Sequence, residues 1–186
     1  NLNVWTPNPK DGKKRPVMVW LHGGGFEAGS SLESPAYDGA NLSRRGDVVV
    51  VSVNHRLNLV GHFNLETYGP QYKDSANIGM VDLVDALKWV KRNIASFGGD
   101  PQNVTIFGES GGGAKVLTLM AAPSAKGLFQ KGIVESGAVE TMGPYVMSKE
   151  QSEKVTNLTL KELGITKDNL ESLQTIPYET LVAASN

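Results

Sequence analysis

The chain has 186 residues, of which 40% are hydrophobic and 20% charged, and its formal net charge is −1. This length allows one domain with a sizeable core, and the near-zero charge gives no electrostatic case for a nucleic-acid partner or an anionic membrane surface. No apolar run approaches the roughly 20 residues that a membrane-spanning helix requires. The chain contains no cysteine, which removes disulfides and zinc–thiolate sites and leaves the cellular compartment open.

The first half of the chain predicts three strands. Residues 2–5 alternate apolar and polar side chains, residues 16–21 form a continuous apolar run, and residues 48–53 are almost entirely valine. A glycine-rich loop, His22-Gly23-Gly24-Gly25-Phe26, follows the second strand, and a short helix is predicted over residues 37–45. Residues 54–77 lack a clear periodicity and are interpreted as a polar and aromatic loop.

The second half alternates helices and strands. Apolar side chains recur at helical spacing from Met80 to Ile94, and Gly98 to Pro101 would end that helix. Strands are predicted over residues 104–107 and 131–136, with a helix over 114–122 between them. Residues 149–163 and 169–185 are predicted to be helices joined by Gly164 and Pro177. This order predicts an α/β fold, a mostly parallel sheet with helices on both faces. We expect one domain over residues 1–186, with a sheet core in 1–142 and a helical segment in 143–186.

One motif stands between a predicted strand and a predicted helix. Residues 108–112, Gly-Glu-Ser-Gly-Gly, match G-x-S-x-G, a sharp turn that presents a nucleophilic serine, here Ser110. Glycine is required on both sides of that serine because side chains there would collide where the strand and the helix converge. The turn also puts the hydroxyl at a helix N-terminus, whose partial positive charge favours a developing anion.

Two nucleotide-binding interpretations of the glycine clusters fit poorly. Gly23, Gly25 and Ala28 match a dinucleotide-binding pattern, but no good helix start follows them, and Asp47 precedes the next strand instead of ending it. The run from Gly108 to Gly113 resembles a phosphate-binding loop, but alanine and lysine follow where lysine and Ser/Thr are required.

The two clusters fit acyl transfer better. That reaction needs a nucleophile and backbone N–H donors aimed at the oxyanion of a tetrahedral intermediate. A His-Gly-Gly-Gly loop after an earlier strand supplies such donors, so we assign the oxyanion hole to the N–H groups of Gly24, Gly25 and Gly111. The alternative is that both clusters are only tight turns.

These segments resemble the type-B carboxylesterase/cholinesterase family of α/β-hydrolases, most closely its bacterial para-nitrobenzyl-esterase-like members. The resemblance extends to about residue 142, and its carriers are residues 2–7, 20–26, 51–56, 77–82, 89–94, 97–101 and 107–112. It implies an α/β-hydrolase fold, small carboxylic esters as substrates, and neither cofactor nor metal. Two positions depart from the family pattern: Gly111 stands where alanine is usual, and His55 where tyrosine is usual.

The expected general base is missing. In this fold the triad order is serine, acid, histidine, yet the only histidines, His22, His55 and His62, all precede Ser110. His22 is interpreted as structural within the oxyanion loop, while His55 and His62 follow the strongest predicted strand and stay open as candidates. We expect the chain to be the N-terminal portion of a longer esterase, nearly inactive alone, whose acid and histidine come from the C-terminal remainder of the same protein.

Several interpretations stay open from sequence alone. Glu109 either tunes the site electrostatically or shapes the turn. A non-catalytic, cholinesterase-like binding module is the alternative function, although it would need neither an intact serine turn nor a complete glycine loop. Acyl and alcohol preference are not encoded here, and both a bacterial cytoplasmic and a secreted location are compatible with the sequence. A parallel sheet without its later strands would expose an apolar edge, which predicts a partner chain or aggregation.

Overall fold

The computed structural model describes residues 1–137 and 147–184, which form two compact units. The first unit consists of Asn1–His55 and the described residues from Met80 to Gly137, and the second of Arg56–Gly79 and residues 147–184. The predicted boundary between residues 142 and 143 lies outside the described residues, so the division into a sheet core and a helical segment stays a prediction. Within the described ranges, no helix is long and apolar enough to cross a membrane.

The first unit is built on a five-stranded sheet in the order β1-β3-β2-β4-β5. Its strands are β1 (Leu2–Trp5), β2 (Arg15–Leu21), β3 (Val49–Val53), β4 (Gly99–Glu109) and β5 (Lys131–Glu135). β1 runs antiparallel to β3, and the other three neighbouring pairs are parallel. The five predicted strands are therefore present, and the mostly parallel sheet is confirmed.

The core lies on the face of the sheet where β2 and β3 present valines. Val19 pairs with Val51, and both side chains are fully buried. The long helix α3 (Ile78–Asn93) covers this face with side chains such as Leu87 and Val90, which belong to the same hydrophobic cluster. Burial of each such side chain stabilises the folded state by about 1.5–3 kcal/mol relative to exposure to water. The amphipathic spacing read from the sequence thus marks the core-facing side of this helix.

The register of the sheet brings the two glycine clusters together. Leu21, the last residue of β2, pairs with Gly108 near the end of β4. The loop that begins at His22 and the turn at Ser110 therefore leave the same edge of the sheet, the edge at which parallel sheets commonly carry their sites. Helix α4 (Gly111–Ala121) begins directly after this turn.

β4 is longer than predicted. It begins at Gly99, which pairs with Arg15, instead of at Val104. The register shifts between Arg15 and Val17, so β4 bulges in this region and accommodates Pro101, which lacks an N–H to donate. α3 ends at Asn93 and is followed by a 3₁₀ turn over Ile94–Phe97. Gly98, one of the residues predicted to end the helix, ends that turn in a left-handed conformation with φ 77°.

The smaller helices differ most from the predictions. The helix predicted over residues 37–45 is α1 (Ala40–Gly46), preceded by a 3₁₀ turn at Pro35–Tyr37. The segment interpreted as a loop contains the short helix α2 (Asn58–His62) and three 3₁₀ turns. That interpretation was wrong because single helical turns are too short to show a periodic pattern.

The second unit has its own small core. Helix α5 (Lys149–Glu162) begins with a capping box between Ser148 and Gln151. The helix predicted over residues 169–185 is instead a kinked 3₁₀ segment (Lys167–Thr175) followed, beyond Pro177, by α6 (Tyr178–Ala183); residue 185 lies outside the described residues. Buried side chains of this unit include Leu160, Ile165 and Leu170.

β5 forms an exposed edge of the sheet. All five of its residues are exposed, including Ile133 at 43% and Val134 at 37%. The exposed apolar edge inferred from the sequence is therefore present in the described structure. That a partner chain covers this edge, or that the chain aggregates through it, stays a prediction.

Candidate active site

Ser110 occupies a strained turn between β4 and α4. Its backbone has φ 55° and ψ −121°, a conformation that costs a residue with a side chain on the order of 1–3 kcal/mol. Two hydrogen bonds hold the turn: the Ser110 N–H donates to the Glu135 carbonyl at 2.8 Å, and the Ala114 N–H donates to the Ser110 carbonyl at 3.1 Å. The surrounding sheet and helix therefore fix the serine at the N-terminus of α4.

The glycines that flank Ser110 allow β4 and α4 to approach the end of β2. A β-carbon on Gly108 would lie 2.6 Å from the Leu21 carbonyl oxygen, and one on Gly112 would clash still more severely with that same oxygen. This oxygen belongs to the backbone of the central strand β2, which cannot easily move aside. The collision expected from the motif is therefore specified atom by atom.

The glycine loop lies directly against this turn. A β-carbon on Gly111 would collide with the backbone of Gly25, and one on Gly23 would lie 3.6 Å from Ser110 Cβ. Gly24 and Gly25 have φ values of 78° and 62°, which side chains rarely adopt. The structure thus brings together all four residues assigned to the nucleophile and the oxyanion hole.

The backbone donors at this junction are available. Within the described ranges, the N–H groups of Gly24, Gly25 and Gly111 donate no hydrogen bond to the protein. Gly25 and Gly111 are buried, whereas Gly24 is exposed. Buried N–H groups without a partner are rare in folded proteins, and the two at Gly25 and Gly111 lie where the glycine loop meets the serine turn. Such donors are suited to receive an anionic oxygen.

The first unit holds His22 and His55 in contact with each other. Their rings stack with centroids 4.9 Å apart, and both side chains are buried, at 1% and 9% exposure. His22 Nδ1 lies 2.9 Å from the Gly23 carbonyl oxygen, and burial together with the charge of Lys115 lowers the pKa of His22. Among the described residues, no hydrogen bond joins the Ser110 hydroxyl to either ring.

The remaining predicted polar groups lie in different surroundings. Glu109, at the end of β4, is exposed, and its Oε2 atom would lie 3.4 Å from a β-carbon on Gly23, so its carboxylate borders the glycine loop. His62 belongs to the second unit, where its Nδ1 lies 3.1 Å from the Ala76 carbonyl oxygen. Glu140, one of several acids that follow Ser110, lies outside the described residues.

Lys115 is a functional candidate that the sequence reasoning missed. It lies on α4, five residues after Ser110, and its side chain is completely buried. Its ammonium group donates to the His22 carbonyl at 2.9 Å and lies 5.6 Å from the centre of the Phe26 ring. A single lysine within the otherwise apolar run that follows the serine was the available signal.

Other features of the first unit lie away from this junction. A surface cavity of about 380 Å³ lies at the other end of the parallel strands, where β2 and β4 begin. It is lined by residues such as Lys13, Gly98 and Asp100. Among the described residues, no group of three or more His, Asp or Glu side chains could hold a metal ion. The serine turn and the glycine loop are therefore the features around which a reaction can be argued.

Comparison with known proteins agrees with this geometry. A model of the carboxylesterase family matches residues 1–186. The para-nitrobenzyl esterase of Bacillus subtilis is 46% identical over 185 residues, which is 100% of this chain and 36% of that protein.

Solved structures give the same result. An esterase of Clostridium hathewayi, described as able to hydrolyse aliphatic aromatic polyesters, has a TM-score of 0.90 and 50% identity, over 99% of this chain and 36% of its own. A carboxylesterase of Geobacillus stearothermophilus has a TM-score of 0.90 and 45% identity, over 99% of this chain and 39% of its own. The chain therefore spans little more than a third of the length of these relatives.

These similarities confirm two predictions. The strands and helices described above form part of an α/β-hydrolase fold, and the likeness to bacterial para-nitrobenzyl-esterase-like proteins is present. Since the family model matches every residue and the bacterial relatives share nearly half of them, the chain belongs to the carboxylesterase family.

Proposed function

We propose that this chain carries the nucleophile and the oxyanion-binding half of a serine carboxylesterase. The observation that supports this most is the backbone contact between the strained Ser110 turn and the glycine loop, where Gly25 meets Gly111. That contact puts a hydroxyl nucleophile beside unpaired N–H donors, and acyl transfer requires this combination.

Acylation begins at the Ser110 hydroxyl. A general base removes its proton while Oγ forms a bond to the ester carbonyl carbon, and the carbonyl π electrons move onto oxygen. The N–H groups of Gly24, Gly25 and Gly111 donate to this oxyanion. The bond to the alcohol then breaks, the protonated base returns its proton to the departing oxygen, and the acyl group stays on Ser110 as an ester.

Deacylation repeats these steps with water as the nucleophile. The base removes one proton from water while the water oxygen bonds to the acyl carbon, and the same N–H groups hold the second oxyanion. The bond between the acyl carbon and Oγ breaks, Ser110 recovers its proton from the base, and the carboxylic acid leaves. The substrate and one water thus give one alcohol and one acid.

The base and the acid that orients it come from outside this chain. His22 is a poor base because burial and the nearby Lys115 charge lower its pKa, its Nδ1 already lies beside the Gly23 carbonyl oxygen, and its ring stacks on His55. The chain also corresponds to only 36% of the Bacillus subtilis relative. We therefore propose that a C-terminal polypeptide of the same protein supplies both groups. We call this chain together with that polypeptide the active assembly.

The substrates are esters whose carbonyl can reach Ser110. Relatives are described as acting on para-nitrobenzyl esters and on aliphatic aromatic polyesters, so both classes are suitable first assays for the active assembly. Ser110 is only partly buried in the described structure, and a bulky ester is therefore not excluded by the junction itself.

A non-catalytic binding module is the competing function. Such a module has no need for a strained serine. The unfavourable φ of 55° lowers the stability of the fold and does not improve a binding surface. It also has no need for backbone N–H groups left without a partner next to the serine turn. These two features favour the esterase.

A fluorophosphonate ester separates the two functions. We expect it to form a covalent adduct on Ser110 in the active assembly, detected by intact mass and peptide mapping, and to form none in the matched variant Ser110→Ala. Absence of an adduct in the wild-type assembly would overturn the esterase proposal. Strong ester hydrolysis by the 186 residues alone, surviving substitution of both His55 and His62 but lost in Ser110→Ala, would contradict the missing base.

A further inference from the structure

Lys115 is buried in a place where an apolar side chain would be less costly. It lies in the first half of α4, where Gly111 to Val116 are all buried, and its own side chain has no exposed surface. Lysine is almost never fully buried without a paired charge, and no carboxylate among the described residues forms an ion pair with it. Its position therefore calls for a reason other than stability.

Among the described residues, the hydrogen bond and the cation–π contact of Lys115 are both made with the glycine loop. Its Nζ donates to the carbonyl oxygen of His22, the residue that opens the loop, and lies over the ring of Phe26, the residue that closes it. The lysine thus contacts both ends of the segment that carries Gly24 and Gly25. Its backbone belongs to the helix that begins beside Ser110.

We propose that Lys115 is a positioning residue that holds the glycine loop against the nucleophile helix, so that the N–H groups of Gly24 and Gly25 converge with that of Gly111. This inference rests on the proposed esterase function for its catalytic consequence, but the tethering itself does not. A hydrogen bond from an ammonium to a carbonyl is stronger than one between neutral groups, which suits a tether that has to work inside the fold.

The ionisable groups that act on Lys115 are few. Burial lowers the pKa of Lys115 to about 8, partly offset by the charge of Glu33, and His22 is the titratable ring at the start of the loop. The ammonium form therefore dominates near neutral pH and gives way to the amine above about pH 8. The tether weakens over the same range, because an amine is a poorer donor and makes no cation–π contact.

Three variants test the proposal in the active assembly. Lys115→Met removes the donor and keeps an unbranched chain, Lys115→Gln keeps an uncharged donor on a chain one bond shorter, and Lys126→Met is a matched control at an exposed lysine. For a para-nitrophenyl ester we expect Lys115→Met to lower kcat by about tenfold to a hundredfold with little change in KM, since oxyanion contacts act in the transition state. Lys115→Gln should recover part of that loss, and Lys126→Met should match the wild type.

A second measurement reports the loop without catalysis. The Ala28 N–H donates to the Gly24 carbonyl at 3.1 Å, so amide hydrogen exchange at Ala28 follows the order of the loop. We expect faster exchange at Ala28 in Lys115→Met and wild-type exchange in Lys126→Met. Wild-type kcat in Lys115→Met, or a loss of kcat without faster exchange at Ala28, would overturn the proposal. If the wild-type assembly hydrolyses no ester, the esterase function fails, and exchange at Ala28 alone decides the tether.

Discussion

A β-carbon on Gly111 would collide with the backbone of Gly25, so the serine turn and the glycine loop touch with no side chain between them. Here a methyl group fits only if the loop moves away from the helix. The distance between the two halves of the proposed oxyanion hole is therefore set by this pair of glycines.

Gly111→Ala is expected to impair turnover more than folding. The added methyl group pushes Gly25 outward, and a displacement of about 1 Å at a reacting centre can cost up to about a hundredfold in rate. We expect kcat of the active assembly to fall by about tenfold, measured with a soluble ester, while the thermal midpoint falls only slightly because the displaced residue, Gly25, lies outside the hydrophobic core.

The double variant Gly111→Ala with Lys115→Met tests whether the two positions act on the same loop. Because Lys115→Met already releases the loop, the added methyl group should then cost less than it does in the wild type. The combined loss in kcat should be smaller than the product of the two single losses. Independent, multiplicative losses would argue against a shared effect on Gly25.

The strain at Ser110 predicts an unusual order of stabilities. Ser110→Gly relieves the backbone strain. Ser110→Ala retains the strain, because alanine keeps a β-carbon at φ 55°. We expect the free energy of unfolding, from urea denaturation, to be about 1 kcal/mol higher for the glycine variant than for the alanine variant. Both variants should lose the fluorophosphonate adduct.

Ser152 provides the control for that comparison because it lies within α5. In a helix interior, glycine is less stable than alanine by about 1 kcal/mol, so the same pair of substitutions should give the opposite order there. Equal stabilities of the two Ser110 variants, or a more stable alanine variant, would contradict the strain argument.

The sequence predicted the parts of the fold that have a regular pattern of apolar residues or a steric requirement for glycine. The short run of β-branched valines ending at Val53 favours a buried strand. The G-x-S-x-G spacing is required by the approach of Gly108 and Gly112 to the Leu21 carbonyl. The pairing of the two glycine clusters was predicted from chemistry, because acyl transfer needs a nucleophile together with backbone donors. That the strands before them are neighbours is known only from the structure.

The sequence could not predict features that depend on distant partners. The first residues of β4 are extended because Gly99 pairs with Arg15, although Pro101 argues locally against a strand. The role of Lys115 depends on a carbonyl 93 residues away, whereas composition alone places a lysine at the surface. Helix α2 is a single short segment without a period to detect.

A buried arginine at the start of β2, far from the serine turn, predicts a specific loss of stability in acid. Arg15 is 4% exposed and binds Asp11 through both of its terminal nitrogens and Asp47 through Nε at 2.7 Å. The hydrogen bond from Arg15 lowers the pKa of Asp11 to about 2, and bonds from Lys13 and Arg15 lower that of Asp47.

Because these pKa values are depressed in the folded state, the stability they contribute is present above the unfolded pKa of about 3.9. It is lost as the pH falls through about 2, where the folded carboxyl of Asp11 takes up its proton. We expect the thermal midpoint of the wild type to fall more steeply between pH 4 and 2 than that of Asp11→Asn. Asp85→Asn, which removes only a surface ion pair with Lys88, should follow the wild type.

Lys115 should carry a measurable cost in stability that depends on pH. Burial lowers its pKa from 10.5 to about 8, a difference of about 3 kcal/mol at about 1.4 kcal/mol per pKa unit. Below pH 8 both the folded and the unfolded chains are protonated at this site, so the folded state bears the full cost of the buried ammonium. Between pH 8 and 10.5 the unfolded chain binds more protons, and the stability of the wild type rises with pH.

Lys115→Met should therefore be more stable than the wild type by about 1–2 kcal/mol at pH 7, since replacing a buried charge with an apolar side chain is often stabilising. The gap should narrow at pH 10, where the wild-type lysine is largely neutral in the fold. Urea denaturation at both pH values, with Lys126→Met as the control, measures the difference. A destabilised Lys115→Met, or a gap that is the same at both pH values, would mean that the ammonium is not the group that costs stability. A gain in stability combined with a loss of kcat would mark Lys115 as a residue kept for the glycine loop at the expense of the fold.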